Sequence, residues 1–100
     1  MAWFVYILLC DQKTFYVGRT QYMEERLLEH QRGYSNFTEK FSNIKLVHKE
    51  QYRSFKEAEQ RENQLKKWSV AKKKALIAGN KDLLVRLSKS REIADKHDRK

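Results

Sequence analysis

Three groups of residues in this chain have types and spacings that suit chemistry. The first is a single carboxylate. Phe55, Ala58, Glu62 and Leu65 follow i, i+3, i+7 and i+10, which draws one stripe along a helix. Glu62 therefore sits among residues that should face the core. An unpaired carboxylate there costs several kcal/mol or takes up a proton, so it must meet a cation, a hydrogen-bonding network or a metal ion. A buried salt bridge is the structural alternative, and a metal ligand or catalytic acid/base is the functional one. The second group is Arg26 and His30, four apart on one helix face, with Tyr22 a turn earlier and Arg19 just before the helix. This is either a solvated basic face or a phosphate clamp, since guanidinium geometry matches phosphate oxygens in a bidentate way. The third is a pair of phenols, Tyr6 and Tyr16, one in each strand-like run of "VYILLCDQKTFYVGRT". A phenol hydroxyl is costly to bury and Phe would pack as well, so the pair needs a reason.

The elements that must position these groups can be read from the pattern. Residues 3 to 10 are aromatic and β-branched and predict a strand. Asp11-Gln12-Lys13-Thr14 is a polar break and Phe15 to Gly18 a second strand, so a hairpin is expected, although the pairs that favour the tightest turns are missing. Met23 and Leu27 recur at i, i+4 in a helix that Gly33 is placed to end. Residues 34–43 read as a loop. "IKLVHKEQY" alternates as a third strand with Ile44, Leu46 and His48 on one face. Ser54 and Glu57 make a capping-box signature for a helix to about Trp68, and Ser69 can cap another that Gly79 stops. "NKDLLVRL" adds an apolar turn or two. The order β-β-α-β-α-α predicts a small α+β domain: a three-stranded antiparallel sheet flanked by helices over residues 1–87, with 88–100 as a polar, flexible tail.

Composition narrows the partners. The chain has 100 residues, 40% hydrophobic and 35% charged, which suits one modest core under a charged surface. Lys and Arg number 22 against 13 Asp and Glu, a formal charge of +9. Such a field attracts polyanions, with nucleic acid the leading partner. No apolar run approaches the roughly 20 residues a spanning helix needs, and there is no basic lead-in or cleavage site for a signal peptide. The single cysteine, Cys10, rules out an internal disulfide and any cysteine-based zinc site. A soluble protein of the reducing cytoplasm is the expectation, without a membrane partner.

Other candidates are weaker. His48 and His97 have no companion at metal-ligand spacing, and Cys10 has no obvious general base. Trp3 and Trp68 suit a core better than a base-stacking platform. The lysines of "KKWSVAKKK", Lys66, Lys67, Lys72 and Lys73, could track a nucleic-acid backbone together with Arg19, or be a solvated face.

Taken in order, these residues resemble the GIY-YIG nuclease superfamily. "FVY" at 4–6 and "YVG" at 16–18 are similar to its paired motif, "MEERLLEH" to its first helix, and "AEQRENQLKKWSVAKKKALI" to its later segment with a glutamate and a basic, Trp-containing stretch. The likeness runs over residues 3 to about 78, and is nearest to the small stand-alone bacterial members. The resemblance implies roles for Tyr6, Tyr16, Arg26, His30 and Glu62 around a scissile phosphodiester, with Gly18 as a structural motif residue. It also implies one divalent cation, magnesium or manganese, held by Glu62. A phenol is a poor base at its usual pKa near 10, so a nearby Arg26 and the metal would have to lower it.

Three departures stand out. Phe4 takes the place of the first glycine, valines replace two isoleucines, and Lys74 stands where some members carry asparagine. The reading that follows is a metal-dependent DNA endonuclease, with branched, nicked or single-stranded forms as candidate substrates. The competing reading is a basic binding module with the same fold that does not cut, and a third is a structural protein near ribosomes or RNA. The nuclease reading sets one geometric condition on the phenols. An even hairpin loop puts Tyr6 and Tyr16 on opposite faces, whereas an odd loop or a bulge, or strands twisted enough to converge, brings both toward Arg26 and Glu62.

Overall fold

The computed structural model of the chain describes residues 2–33 and 40–88. Most of the expected loop, nearly all of the expected tail and His97 lie outside the described residues. The chain forms two compact units, Met1–Lys67 and Trp68–Lys100.

The first unit holds strands β1 (Trp3–Cys10) and β2 (Thr14–Thr20), helix α1 (Met23–Gln31), strand β3 (Ile44–Tyr52) and helix α2 (Phe55–Lys67). The antiparallel sheet has the order β2-β1-β3, so the most apolar strand is the central one. Val5, Tyr6, Ile7, Leu8 and Cys10 of β1 are all buried. This continuous run is what a strand covered on both faces requires. Odd and even positions then sort the two layers. Tyr6, Leu8 and Cys10 pack with Met23 and Leu27 of α1. Val5, Ile7 and Val17 face the other way, toward Ala58 and Leu65 of α2, as the Trp3–Phe55 ring contact and the Arg61–Glu50 pair confirm.

The hairpin loop has three residues. Cys10 pairs with Thr14, and Asp11 and Gln12 take positive φ of 51° and 59° without being glycine. Asx residues tolerate the left-handed region, and the Asp11 carboxylate also accepts the backbone N–H groups of Ser42 and Asn43 at 3.0 and 2.7 Å. That tether explains an aspartate at a turn with no Asn-Gly or Asp-Gly pair.

Strand β3 departs from the expected alternation. Ile44 and Leu46 do join the Tyr6 layer, but the register shifts between Ile7 and Leu8: Ile7 pairs with His48 and Leu8 with Leu46. Val47 is the extra residue of a β-bulge, which turns His48 to the α2 side. There it enters a polar network centred on Glu50. The carboxylate takes Arg61 Nε at 2.8 Å, Arg61 Nη2 at 3.0 Å, the Tyr52 hydroxyl at 2.6 Å and His48 Nε2 at 2.8 Å. Burial alone would raise the Glu50 pKa, yet hydrogen bonds from Arg61, Tyr52 and His48 hold it down to about 2. Burial and the same carboxylate push Tyr52 up to about 12.

A depressed carboxylate stabilises the fold above its unfolded pKa of about 4.3, and that contribution is lost as pH falls toward about 2. Glu50→Gln should therefore lower stability by about 1–3 kcal/mol at pH 7, the usual range for hydrogen bonds to a charged group. Urea unfolding should find this deficit shrinking between about pH 5 and pH 2. A deficit that stays constant with pH would remove the charge from the explanation.

Helix α2 begins as the capping signature predicts, with Glu57 N–H donating to Ser54 Oγ at 3.2 Å and Ser54 Oγ donating to the Glu57 carboxylate at 3.1 Å. Ala58, Glu62 and Leu65 of its stripe are buried, but Phe55 is 43% exposed. Among the described residues no helix is long and apolar enough to cross a membrane.

In the second unit, helix α3 (Val70–Ala78) is capped by Ser69 Oγ, which accepts the Lys72 N–H at 3.2 Å, and ends on Gly79 in the left-handed region. Residues 81–88 form a further helical segment. Lys72, expected to face solvent, is instead buried, with its ammonium 4.2 Å from the Trp68 ring centroid. A cation held over an indole is partly compensated for its lost water.

Candidate active site

The odd loop decides the placement of the phenols. Tyr6 is directly opposite Gly18, and Leu8 is opposite Tyr16, so both tyrosines lie on the α1 face of the sheet. Their ring centroids are 6.2 Å apart. Gly18 is required at that spot by space: a Cβ built there would stand 2.5 Å from the Tyr6 hydroxyl and 3.1 Å from the Tyr16 ring. The phenol of Tyr6 lies across the glycine, and no larger residue fits beneath it. Phe4, at the first-motif position where a glycine was expected, pairs with Thr20 away from this contact and packs against the core.

Helix α1 supplies the other two groups. His30 is fully buried one helical turn from Arg26, and its Nε2 lies 3.0 Å from the Tyr6 hydroxyl. Its ring centroid is 5.0 Å from that of Tyr16 and 5.9 Å from that of Tyr6. Burial, and then the neighbouring Arg26, lower the His30 pKa, so the imidazole is neutral near pH 7. Burial, and then Tyr16, raise the Tyr6 pKa to about 12 against the opposing pull of Arg26. Both groups are thus uncharged. The assignment that satisfies them has Tyr6 O–H donating to Nε2, with the imidazole proton on Nδ1. Arg26 does pull this phenol's pKa down, as expected, but desolvation outweighs it, so Arg26 alone does not make Tyr6 a base. Tyr6 is 1% exposed, while Tyr16 is only partly buried. Arg26 reaches the surface, where its Nη1 also meets Glu29 at 3.0 Å.

Glu62 comes from the opposite layer. Its Oε1 pairs with Arg19 Nη1 and its Oε2 with Lys66 Nζ at 3.0 Å. Arg19 also meets Glu59 at 3.8 Å, and its guanidinium lies 4.7 Å from the Phe55 ring centroid. So the cations expected to bind nucleic acid, Arg19 and Lys66, are partners of the buried carboxylate, while Lys67 is exposed. Burial lowers the pKa of Lys73 in the second unit. The sequence reading had both hydroxyls pointing toward Arg26 and Glu62. The structure groups Tyr6, Tyr16, Arg26 and His30 directly, and links Glu62 to them only through Arg19, which lines the same cleft as Arg26.

Among the described residues no group of three His, Cys, Asp or Glu side chains converges to hold a metal. Magnesium, however, keeps most of its waters and needs only one or two carboxylates plus phosphate oxygens. Glu62 and Glu59, three residues apart and both turned to Arg19, would supply the carboxylates of such an open site, with Arg19 and Lys66 displaced from Glu62.

Comparison with known proteins shows the family. Residues 2–75 match the GIY-YIG catalytic domain, and the chain belongs to that family. A UPF0213 protein of Syntrophus aciditrophicus is 43% identical over an alignment of 79 positions that covers 77% of this chain and 91% of that one. A UPF0213 protein of Natronomonas pharaonis is 40% identical over 76 residues, 75% of this chain and 89% of the other. The solution NMR structure of the UPF0213 protein from Bacillus halodurans has a TM-score of 0.53 at 30% identity, covering 80% of this chain and 86% of that one.

Proposed function

We propose that this chain is a divalent-metal-dependent endonuclease that hydrolyses phosphodiester bonds in DNA. The observation that carries the reading is the convergence of Tyr16, Arg26 and a buried Tyr6–His30 pair on one face of the sheet. A binding surface needs cations, but it has no use for two phenols packed around a neutral imidazole. Magnesium or manganese, held by Glu62, would supply a Lewis acid toward a phosphate oxygen.

The remaining roles fall to the chain's own side chains. Arg26 stabilises the negative charge that develops on the phosphate as a water oxygen bonds to phosphorus, the P–O bond to the departing nucleotide oxygen breaks, and a proton from that water ends on the departing oxygen. Tyr16, the phenol nearer the surface, orders that water. Tyr6 and His30 lie beneath it, and their hydrogen bond fixes the imidazole against the Tyr16 ring. These two are positioning residues.

The full occupation of Glu62 by Arg19 and Lys66 favours one other reading, a basic nucleic-acid-binding module without cleavage. Purified protein with magnesium or manganese should cut plasmid, nicked, branched or single-stranded DNA, and a chelator in excess should stop it. Intact substrate in every metal, with binding that weakens steeply with salt, would select the module instead.

A further inference from the structure

Beside the two arginines the surface opens into a cleft of about 270 Å³. Two of its walls are aromatic residues that the core does not use. Tyr22 stands just before α1 and is 54% exposed, although its backbone is fixed by an N–H bond to Thr20 Oγ1 at 3.0 Å. Trp3 is partly buried, and its indole meets the Phe55 ring edge-on at a centroid distance of 5.1 Å. Phe55 in turn carries the Arg19 guanidinium. Trp3 is therefore backed by Phe55, and Tyr22 is anchored at its backbone with its ring exposed.

From this we propose that the cleft between Trp3 and Tyr22 seats one unpaired nucleobase of a single-stranded stretch, stacked on the aromatic side chains. This rests on the nucleic-acid reading of the adjoining site. Charge decides between a base and a phosphate. Glu25 and Glu29 line the same cleft and balance Arg19 and Arg26, with Glu29 paired to Arg26, so the lining has no excess positive charge to hold a phosphate and suits a flat, uncharged ring. Arg26, which stands in the wall and reaches the surface, is placed for a flanking phosphate. A paired base keeps its faces inside the duplex, so a seat of this kind admits only unpaired nucleotides. Stacking uses a π-face that every base possesses, so the seat gives strand-state preference without sequence preference. Trp3, read from the sequence as core, thus acquires a functional use.

The chain's two tryptophans make the test direct. In a Trp68→Phe background only Trp3 fluoresces, and an oligothymidine of about eight nucleotides in chelator should quench it. An abasic oligonucleotide of equal length should bind about 10-fold more weakly without quenching, and Tyr22→Ala should weaken oligothymidine binding by about 10-fold. Circular dichroism should find that variant folded, because the ring is exposed. Equal binding of the two oligonucleotides, equal quenching by a duplex, or no effect of Tyr22→Ala would each overturn the seat. Cleavage in magnesium without base-dependent quenching sinks the seat and leaves the nuclease reading standing. Base-dependent quenching without cleavage does the reverse.

Discussion

Glu62→Gln is expected to lower metal-dependent cleavage by at least ~100-fold while leaving the protein folded. The amide keeps the shape of the carboxylate and still accepts a hydrogen bond from Arg19, but it loses the charge that a divalent cation needs. The structural cost is moderate for a buried charged residue. Breaking a fully buried pair costs about 3–5 kcal/mol because the partner is stranded without water. Here the partners are not stranded: the Arg19 side chain is 28% exposed and has Glu59, and Lys66 is 54% exposed. With that much solvent the loss should be about 1 kcal/mol. The decisive comparison is between two measurements on the same variant, initial cleavage rate in magnesium and midpoint in urea. If cleavage persists at the wild-type rate, Glu62 is a salt-bridge residue and the metal belongs elsewhere or nowhere. If both collapse together, its role is in the fold.

That Glu62 could be singled out at all follows from how strongly a helix advertises its buried face. Ala58, Glu62 and Leu65 sit where a 3.6-residue period puts them, and the carboxylate stands out because its neighbours are apolar. The order of elements along the chain, the capping serines and the shared face of Arg26 and His30 were legible for the same reason, being set by local spacing. What was not legible depends on backbone irregularity or on distant partners. The three-residue loop uses positive φ at Asp11 and Gln12, and the signal that stabilises it is a bond to residues 42 and 43, more than thirty positions away. The bulge at Val47 leaves no mark in an alternating strand, yet it moves His48 from one face of the sheet to the other. Lys72 reads as one more solvated cation in a lysine run, and only the structure turns it to Trp68. Phe55 follows the stripe's period, but lies at its exposed end, where it supports Arg19 and Trp3.

The two tyrosines that share a face should separate when each is replaced by phenylalanine. Tyr16→Phe removes a hydroxyl from a partly buried phenol and retains the ring against His30. Cleavage should fall on the order of 10²–10³-fold, with a smaller thermal loss than in Tyr6→Phe, because the Tyr16 hydroxyl, although it also hydrogen-bonds Tyr6, is the less buried of the two. Tyr6→Phe removes a hydroxyl that is hydrogen-bonded to a fully buried imidazole. His30 Nε2 is then left without that partner, in a place water does not reach, which costs about 1–3 kcal/mol. For a domain of this size that is a drop of roughly 4–8 °C in Tm for each kcal/mol. Cleavage should fall as well, since His30 no longer holds its orientation beneath Tyr16. A double substitution separates the two effects: if the Tyr6–His30 bond is the shared interaction, replacing His30 by leucine should cost less stability in the Tyr6→Phe background than in the wild type, and should restore none of the activity. Equal thermal loss in Tyr6→Phe and Tyr16→Phe would mean that the depth difference between the phenols does no chemical work. Retained cleavage in Tyr16→Phe would move the water-ordering role to another group.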